Sequence, residues 1–295
     1  MPERDTAIFS PEQLSAAVPG STPELMQWLH LQLQAGQPSA SLRQSLRDTG
    51  WTDSVAHQAL QALEQWLAGP AQFDDSAAPL PGADLSQRPC LLDAGDCQVQ
   101  VLMSMEQPHI VLLGALLSPA ECDAIIAAAQ PQMARSRTVA IRTGGEEINA
   151  DRTSEGMFFQ RGQTPEVQRL EARLARLLRW PLENGEGLQV LRYGPGAEYK
   201  PHHDYFDPAE PGTPTILRRG GQRVGTVVIY LNEPEEGGGT YFPETGLRIQ
   251  PRRGNAVFFR YAQPQAHTLT LHGGDPVLRG EKWIATKWLR EGEFH

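Results

Sequence analysis

Lysine is nearly missing from this chain. Of 26 basic residues in 295, only Lys200, Lys282 and Lys287 are lysines, all in the last third. That makes each lysine a position to account for. Cysteine is equally sparse: Cys90, Cys97 and Cys122 are odd in number and lack metal-type spacing, which argues against a disulfide scaffold or a zinc ribbon and suits a reducing compartment. No apolar run reaches membrane-spanning length, and "MPERDTAIFS" lacks a basic-then-apolar leader. A basic excess is missing too. The formal net charge of −9 argues against a phosphate backbone as principal partner. These absences predict a cytoplasmic protein that engages neither membrane nor nucleic acid.

What is present falls into three parts. Residues 1–68 read as a small helical domain. "STPELMQWLHLQLQAG" has Ser21 or Thr22 as cap, Pro23 in the first turn, and Leu25, Trp28, Leu29 and Leu33 on one face. "SASLRQSLRDTG" predicts a second helix. "TDSVAHQALQALEQWLAGP" predicts a third, with Val55, Ala59, Leu63, Trp66 and Leu67 on a face. Residues 69–97, opening with the Pro-, Ala- and Gly-rich "GPAQFDDSAAPLPGADLSQRP", read as a linker.

From residue 98 the pattern changes. "VQVLMSMEQPHIVLLGALL" holds two strand-like runs, and "SPAECDAIIAAAQ" is a helix with a Ser118–Glu121 capping box. "TPEVQRLEARLARLLRW" is an amphipathic helix on Val167, Leu170, Leu174 and Leu177. Short strand signals then follow one another to the end, divided by Gly, Pro and Asn. Helices first and strands after predict an α+β domain built on a double-sheet jelly roll, with helices on one sheet.

The stretch "EYKPHHDYFDP", residues 198–208, carries two adjacent histidines and an acid. On a strand, His202 and Asp204 share one face and His203 takes the other. A His-x-Asp pair is two thirds of a two-histidine, one-carboxylate iron site. The third ligand would lie on a later strand, where His267 and His272 are the candidates. Lys282, ten residues beyond His272, alternates with Ile284 and Thr286 on one face of "KWIATKW" and could hold the far carboxylate of an iron-chelating keto acid.

Residues 108–291 resemble the prolyl 4-hydroxylase family of Fe(II)- and 2-oxoglutarate-dependent dioxygenases, of the bacterial type with an extra N-terminal helical region. The motifs are "LQVLRYGPGAEYKPHHDYFD", "GTVVIYLNEPEEGGGTYFPETGLRIQPRRGNAVFF" and "HGGDPVLRGEKWIATKWL". The resemblance implies a double-stranded β-helix catalytic domain over 98–295, with its metal-binding core at about 187–291. It implies His202, Asp204 and His272 as iron ligands, with Lys282, Tyr193 and Thr226 contacting 2-oxoglutarate. It places Tyr199, Trp288 and Arg152 on the substrate side, with Ser154 beside them. Fe(II), 2-oxoglutarate and O2 follow as cofactors, with ascorbate a candidate addition. The implied reaction hydroxylates peptidyl proline in a protein or peptide partner and releases succinate and CO2.

Two other readings share the same ligands: a hydroxylase of a free amino acid or small metabolite, and an oxygen-sensing interaction protein using its N-terminal helices. A nucleic-acid demethylase of the wider superfamily is disfavoured by the acidic balance.

Overall fold

A computed structural model describes residues 10–67, 80–135, 138–139, 146–147 and 153–295. The chain divides into two compact units, residues 1–78 and 79–295.

The first unit has four helices: Pro11–Ala17, Pro23–Gln34, Ser39–Asp48 and Asp53–Leu67. The first was not expected. Thr22 caps the second, its hydroxyl accepting from the Leu25 amide at 3.2 Å. Met26, Leu29, Leu42, Leu46, Leu60 and Leu63 form the core. Trp28 departs from expectation: it is 39% exposed, because Met26 and His30 complete the buried arc of its helix. The side chains of Trp66 and Leu67 lie outside the described residues.

In the second unit a nine-stranded antiparallel sheet runs in the spatial order Leu91–Asp93, Gln98–Met105, His109–Gly114, Ala256–Arg260, Arg223–Tyr230, Lys282–Arg290, Leu188–Tyr193, Glu155–Phe159 and Ala134–Arg135. A four-stranded sheet, Leu247–Ile249, Thr240–Phe242, His272–Gly274 and Tyr199–His202, faces it. One core of Leu191, Tyr230, Phe242, Ile249 and Phe259 joins residues of both sheets. A second core joins the other face of the large sheet to helices Pro119–Ala129 and Pro165–Leu178 through Ile125, Val167, Leu170, Val190, Val227 and Phe258. This is the double-stranded β-helix with supporting helices. Coverage on both faces explains why Arg223–Tyr230 is buried at every residue, with "VVIY" apolar throughout instead of alternating.

The linker expectation changes at its far end. Residues 69–79 lie outside the described residues, but 80–97 belong to the second unit. Leu80, Leu85, Leu92 and Cys97 pack on its core, and Leu91–Asp93 pairs with Gln98–Gln100. Arg173 fixes this segment by a bidentate bond to Asp96, at 2.8 and 2.9 Å, while also binding Glu121. The apolar residues in a Pro- and Gly-rich frame were the signal missed. The expected strand "AHTLTLHGG" is also shorter than its pattern. Ala266–Thr268 is a helical turn, Leu269 takes the left-handed region at φ 54°, and only His272–Gly274 is strand.

Candidate active site

The Tyr199–His202 strand is the edge of the small sheet and pairs with His272–Gly274, bringing His272 opposite His202. Asp204 lies just past the strand end. Its Oδ1 is 3.6 Å from His202 Nε2 and its Oδ2 is 3.6 Å from His272 Nε2. One ligand atom from each of the three residues lies within 4.8 Å of the others, the only such cluster among the described residues. His267 sits in the turn, outside this cluster.

The tautomers follow from the backbone. His202 Nδ1 is 2.9 Å from the Lys200 carbonyl, and His272 Nδ1 is 2.9 Å from the Thr270 carbonyl. A carbonyl only accepts, so each Nδ1 carries the proton and each Nε2 offers its lone pair to the shared centre. Burial alone would raise the Asp204 carboxyl. His272, His202, Arg223 and the Thr226 hydroxyl outweigh burial and hold it down at about 2. Two neutral imidazoles and an ionised carboxylate fit a divalent iron of the facial two-histidine, one-carboxylate type.

His203 points elsewhere. It stacks on Tyr205 with ring centroids 4.6 Å apart, and burial followed by the neighbouring His272 lowers its pKa.

A cleft opens at the cluster. Lys282, Ile284, Thr286 and Trp288 line it from one face of their strand, as alternation predicts. Tyr193 and Tyr199 line it too, and Tyr199 stacks on His202 at 3.7 Å. Lys282 is 3% exposed, stands opposite Tyr193 across the ladder, and has its ammonium 5.6 Å from that ring centre. Burial, partly offset by Asp275, pulls its pKa down to about 8. No carboxylate among the described residues pairs with it, whereas Lys287 is paired with Glu171 at 2.5 Å. Two glycines keep space around Lys282. A Cβ at Gly274 would lie 3.7 Å from its Nζ, and one at Gly238 would lie 3.2 Å from its Cδ. A buried cation facing a cleft, without an acid of its own, fits an anionic ligand.

Thr226 touches a candidate metal ligand. It is outside the cleft lining, and its hydroxyl donates to Asp204 Oδ2 at 2.8 Å while meeting the Tyr261 hydroxyl at 3.0 Å. Thr226 sits opposite Trp288 on the large sheet and so faces inward, where Asp204, arriving from the small sheet, takes up its hydroxyl. Ser154 is buried, while Arg152 lies outside the described residues.

Sequence reasoning missed the support beneath the cleft. Arg223 stacks over the Trp288 ring at 4.0 Å and binds Glu186 through two bonds of 2.7 and 2.9 Å. Arg290 shares Glu186 at 2.7 Å. These residues are distant in sequence, and no local pattern marks them. Gln189 and Thr286, opposite each other on the cleft floor, were legible from the same alternation that exposed Tyr193 and Lys282.

Comparison with known proteins bears on this arrangement. The family model of the 2OG-Fe(II) oxygenase superfamily matches residues 188–290. Prolyl 4-hydroxylase 1 of Arabidopsis thaliana is 41% identical over 201 residues, covering 62% of this chain and 69% of that protein. Prolyl 4-hydroxylase 5 of the same organism is 37% identical over 210 residues, covering 64% and 70%. A crystal structure of a viral collagen prolyl hydroxylase from Paramecium Bursaria Chlorella virus-1 has 32% identity and a TM-score of 0.49, covering 61% of this chain and 95% of that one. The superfamily match spans the strands that bear the cluster, and a relative 41% identical is covered over 69% of its length: the chain belongs to the 2OG-Fe(II) oxygenases, as a prolyl 4-hydroxylase-like, 2-oxoglutarate-dependent dioxygenase.

Proposed function

We propose that this enzyme hydroxylates proline within a polypeptide. The observation that carries the reading is the convergence of His202, Asp204 and His272 in one cleft with the unpaired, buried Lys282. The names of the relatives, prolyl 4-hydroxylases at 37–41% identity, support the choice of substrate.

In this reading His202 Nε2, Asp204 and His272 Nε2 hold Fe(II), which supplies the O2-dependent oxidation of an unactivated C–H bond coupled to decarboxylation of 2-oxoglutarate. Lys282 holds the far carboxylate of 2-oxoglutarate by a charge-assisted hydrogen bond, with Tyr193 beside it. Thr226 orients Asp204. Tyr199 and Trp288 form aromatic walls against the proline ring. Ascorbate use and a cytoplasmic location are parts of the same proposal. No helix is long and apolar enough to cross a membrane among the described residues.

The test is incubation with Fe(II), 2-oxoglutarate and proline-containing peptides, following succinate release and a one-oxygen mass gain on proline. Turnover of free amino acids with no peptide hydroxylation would reverse the assignment.

A further inference from the structure

Asp204 is a candidate ligand placed outside any strand. The strand Tyr199–His202 ends two residues before it, and His202 opposite His272 is the last register pair of that edge. The chain then runs through residues 203–222 before it enters the strand Arg223–Tyr230 of the large sheet. A side chain at the far end of this connection does what a ladder would do. Gln222 reaches back across 16 positions: its Oε1 accepts from the Phe206 amide at 2.9 Å, and its Nε2 donates to the Phe206 carbonyl at 2.7 Å. A primary amide that takes both main-chain groups of one residue reproduces the pair of bonds exchanged by opposed residues of an antiparallel sheet.

Gln222 is itself buried and fixed. Its amide donates to Glu291 Oε2 at 2.7 Å, and its carbonyl accepts from the Glu291 amide at 2.9 Å. Oε1 takes a second bond from the Arg223 amide at 3.0 Å. Two N–H donors meet at that atom, so it must be the oxygen, and the side chain has one orientation. The next residue adds to the grip. The Arg223 guanidinium lies 4.8 Å from the Phe206 ring centre and donates to the Asp204 carbonyl at 3.3 Å. Beyond Phe206 the connection has bonds of its own. The Asp207 carbonyl accepts from the Thr213 hydroxyl at 2.6 Å, and Asp207 Oδ1 accepts from the Ala209 amide at 2.8 Å, while Pro208, Ala209 and Pro211 are exposed.

We propose that Gln222 is a positioning residue for the metal centre, a latch that closes the 203–222 connection at its base. With the latch shut, the place of Asp204 is set by Phe206 and the large sheet, and the outer residues 207–221 can change length or shape without moving the carboxylate. With the latch removed, every change in the outer part reaches Asp204 through the chain. The proposal rests on the reading of His202, Asp204 and His272 as the iron site, and it holds whichever substrate the enzyme takes.

The test is a double-mutant cycle read by anaerobic Fe(II) titration of the full chain, well below its Tm. One change is Gln222→Met, which keeps the length of the side chain and removes both bonds to Phe206. The other is a four-residue Gly-Ser-Gly-Ser insertion between Ala209 and Glu210. Lengthening a loop of this size costs little entropy, so the insertion alone should leave iron affinity within about twofold of wild type. Gln222→Met should lose about 10- to 100-fold, the range for groups that orient a metal ligand. The insertion should then weaken Gln222→Met by a further several-fold, and that non-additivity is the signature of the latch. A purely structural glutamine would lower Tm and leave the iron affinity of the folded protein where it was. Should Gln222→Met fail to fold, Gln222→Asn, whose side chain is too short to span both Phe206 groups, takes its place in the cycle. Iron affinity equal to wild type in the Gln222 variant, or an insertion that weakens wild type as much as the variant, overturns the latch and leaves the iron site standing. Absence of Fe(II) binding by the wild type overturns both.

Discussion

The Thr226 hydroxyl donates a 2.8 Å hydrogen bond to Asp204 Oδ2, joining the large sheet to the carboxylate of the candidate metal centre. This bond settles which oxygen of Asp204 has a partner in the protein and keeps the carboxylate from rotating. Second-layer hydrogen bonds of this kind are worth about 10- to 100-fold in metal affinity. Thr226→Val keeps the shape and removes the donor. Anaerobic Fe(II) titration should show a loss of that size, with KM for 2-oxoglutarate at saturating iron changed far less.

The two adjacent histidines should behave oppositely. His202→Ala and His272→Ala each remove an Nε2 lone pair offered to the shared centre, so both should lose iron and turnover. His203 lies against Tyr205, away from the cluster, so His203→Ala should retain substantial activity. The reverse pattern, iron kept by His202→Ala and lost by His203→Ala, would show that the other histidine is the ligand.

Lys282→Ala should raise KM for 2-oxoglutarate by roughly 30-fold to several thousand-fold, the effect of about 2–5 kcal/mol when one partner of a buried charged pair is removed. Iron affinity should change little. Lys282→Arg should fall between, since the guanidinium keeps the charge but needs different space. Arg279 offers no substitute: it is exposed and paired with Glu235 at 2.6 Å.

A pH dependence follows from the same lysine. Only the ammonium form attracts a carboxylate, and burial has lowered its pKa to about 8. Below that value the site is charged and 2-oxoglutarate affinity is full. As pH rises through it, the charge is lost and KM should climb, approaching about tenfold per pH unit. The profile, taken on kcat/KM for 2-oxoglutarate, should flatten in Lys282→Arg, whose guanidinium stays protonated. A wild-type profile flat from pH 7 to 9.5 would remove the lysine from this role.

Truncation should discriminate between two start points. A chain beginning at residue 79 keeps Leu80, Leu85, Leu92 and the Leu91–Asp93 strand, and should still decarboxylate 2-oxoglutarate. One beginning at 95 loses those buried groups and should unfold at a clearly lower temperature. Equal Tm values would mean that residues 80–94 contribute nothing to the second unit.

The sequence made the catalytic half legible where chemistry and period coincide. Lys282, Ile284, Thr286 and Trp288 share a face because strand side chains alternate, and His202 and Asp204 follow the same rule even though the strand ends between them. Support residues did not announce themselves. Glu186 binds arginines 37 and 104 positions away, and Thr226 reaches Asp204 across 22. Such partners are chosen by sheet order, which a local pattern does not contain. Residues 80–97 were misread for a related reason. The Pro-Gly step at 81–82 continues the look of the linker before it, but four apolar side chains and the distant Arg173 decide where the segment sits.

The scarcity of lysine turns the active site into an address for amine chemistry. Lys282 is 3% exposed and Lys287 is 2% exposed, which leaves Lys200 as the one lysine presented to solvent. It lies on the cleft-edge strand, and its carbonyl holds His202. An amine-reactive dye applied to the folded enzyme should therefore mark, apart from the chain's amino terminus, a single side chain two residues from the metal cluster. A fluorophore at Lys200 would report substrate arriving at the cleft, with no engineered cysteine needed to place it.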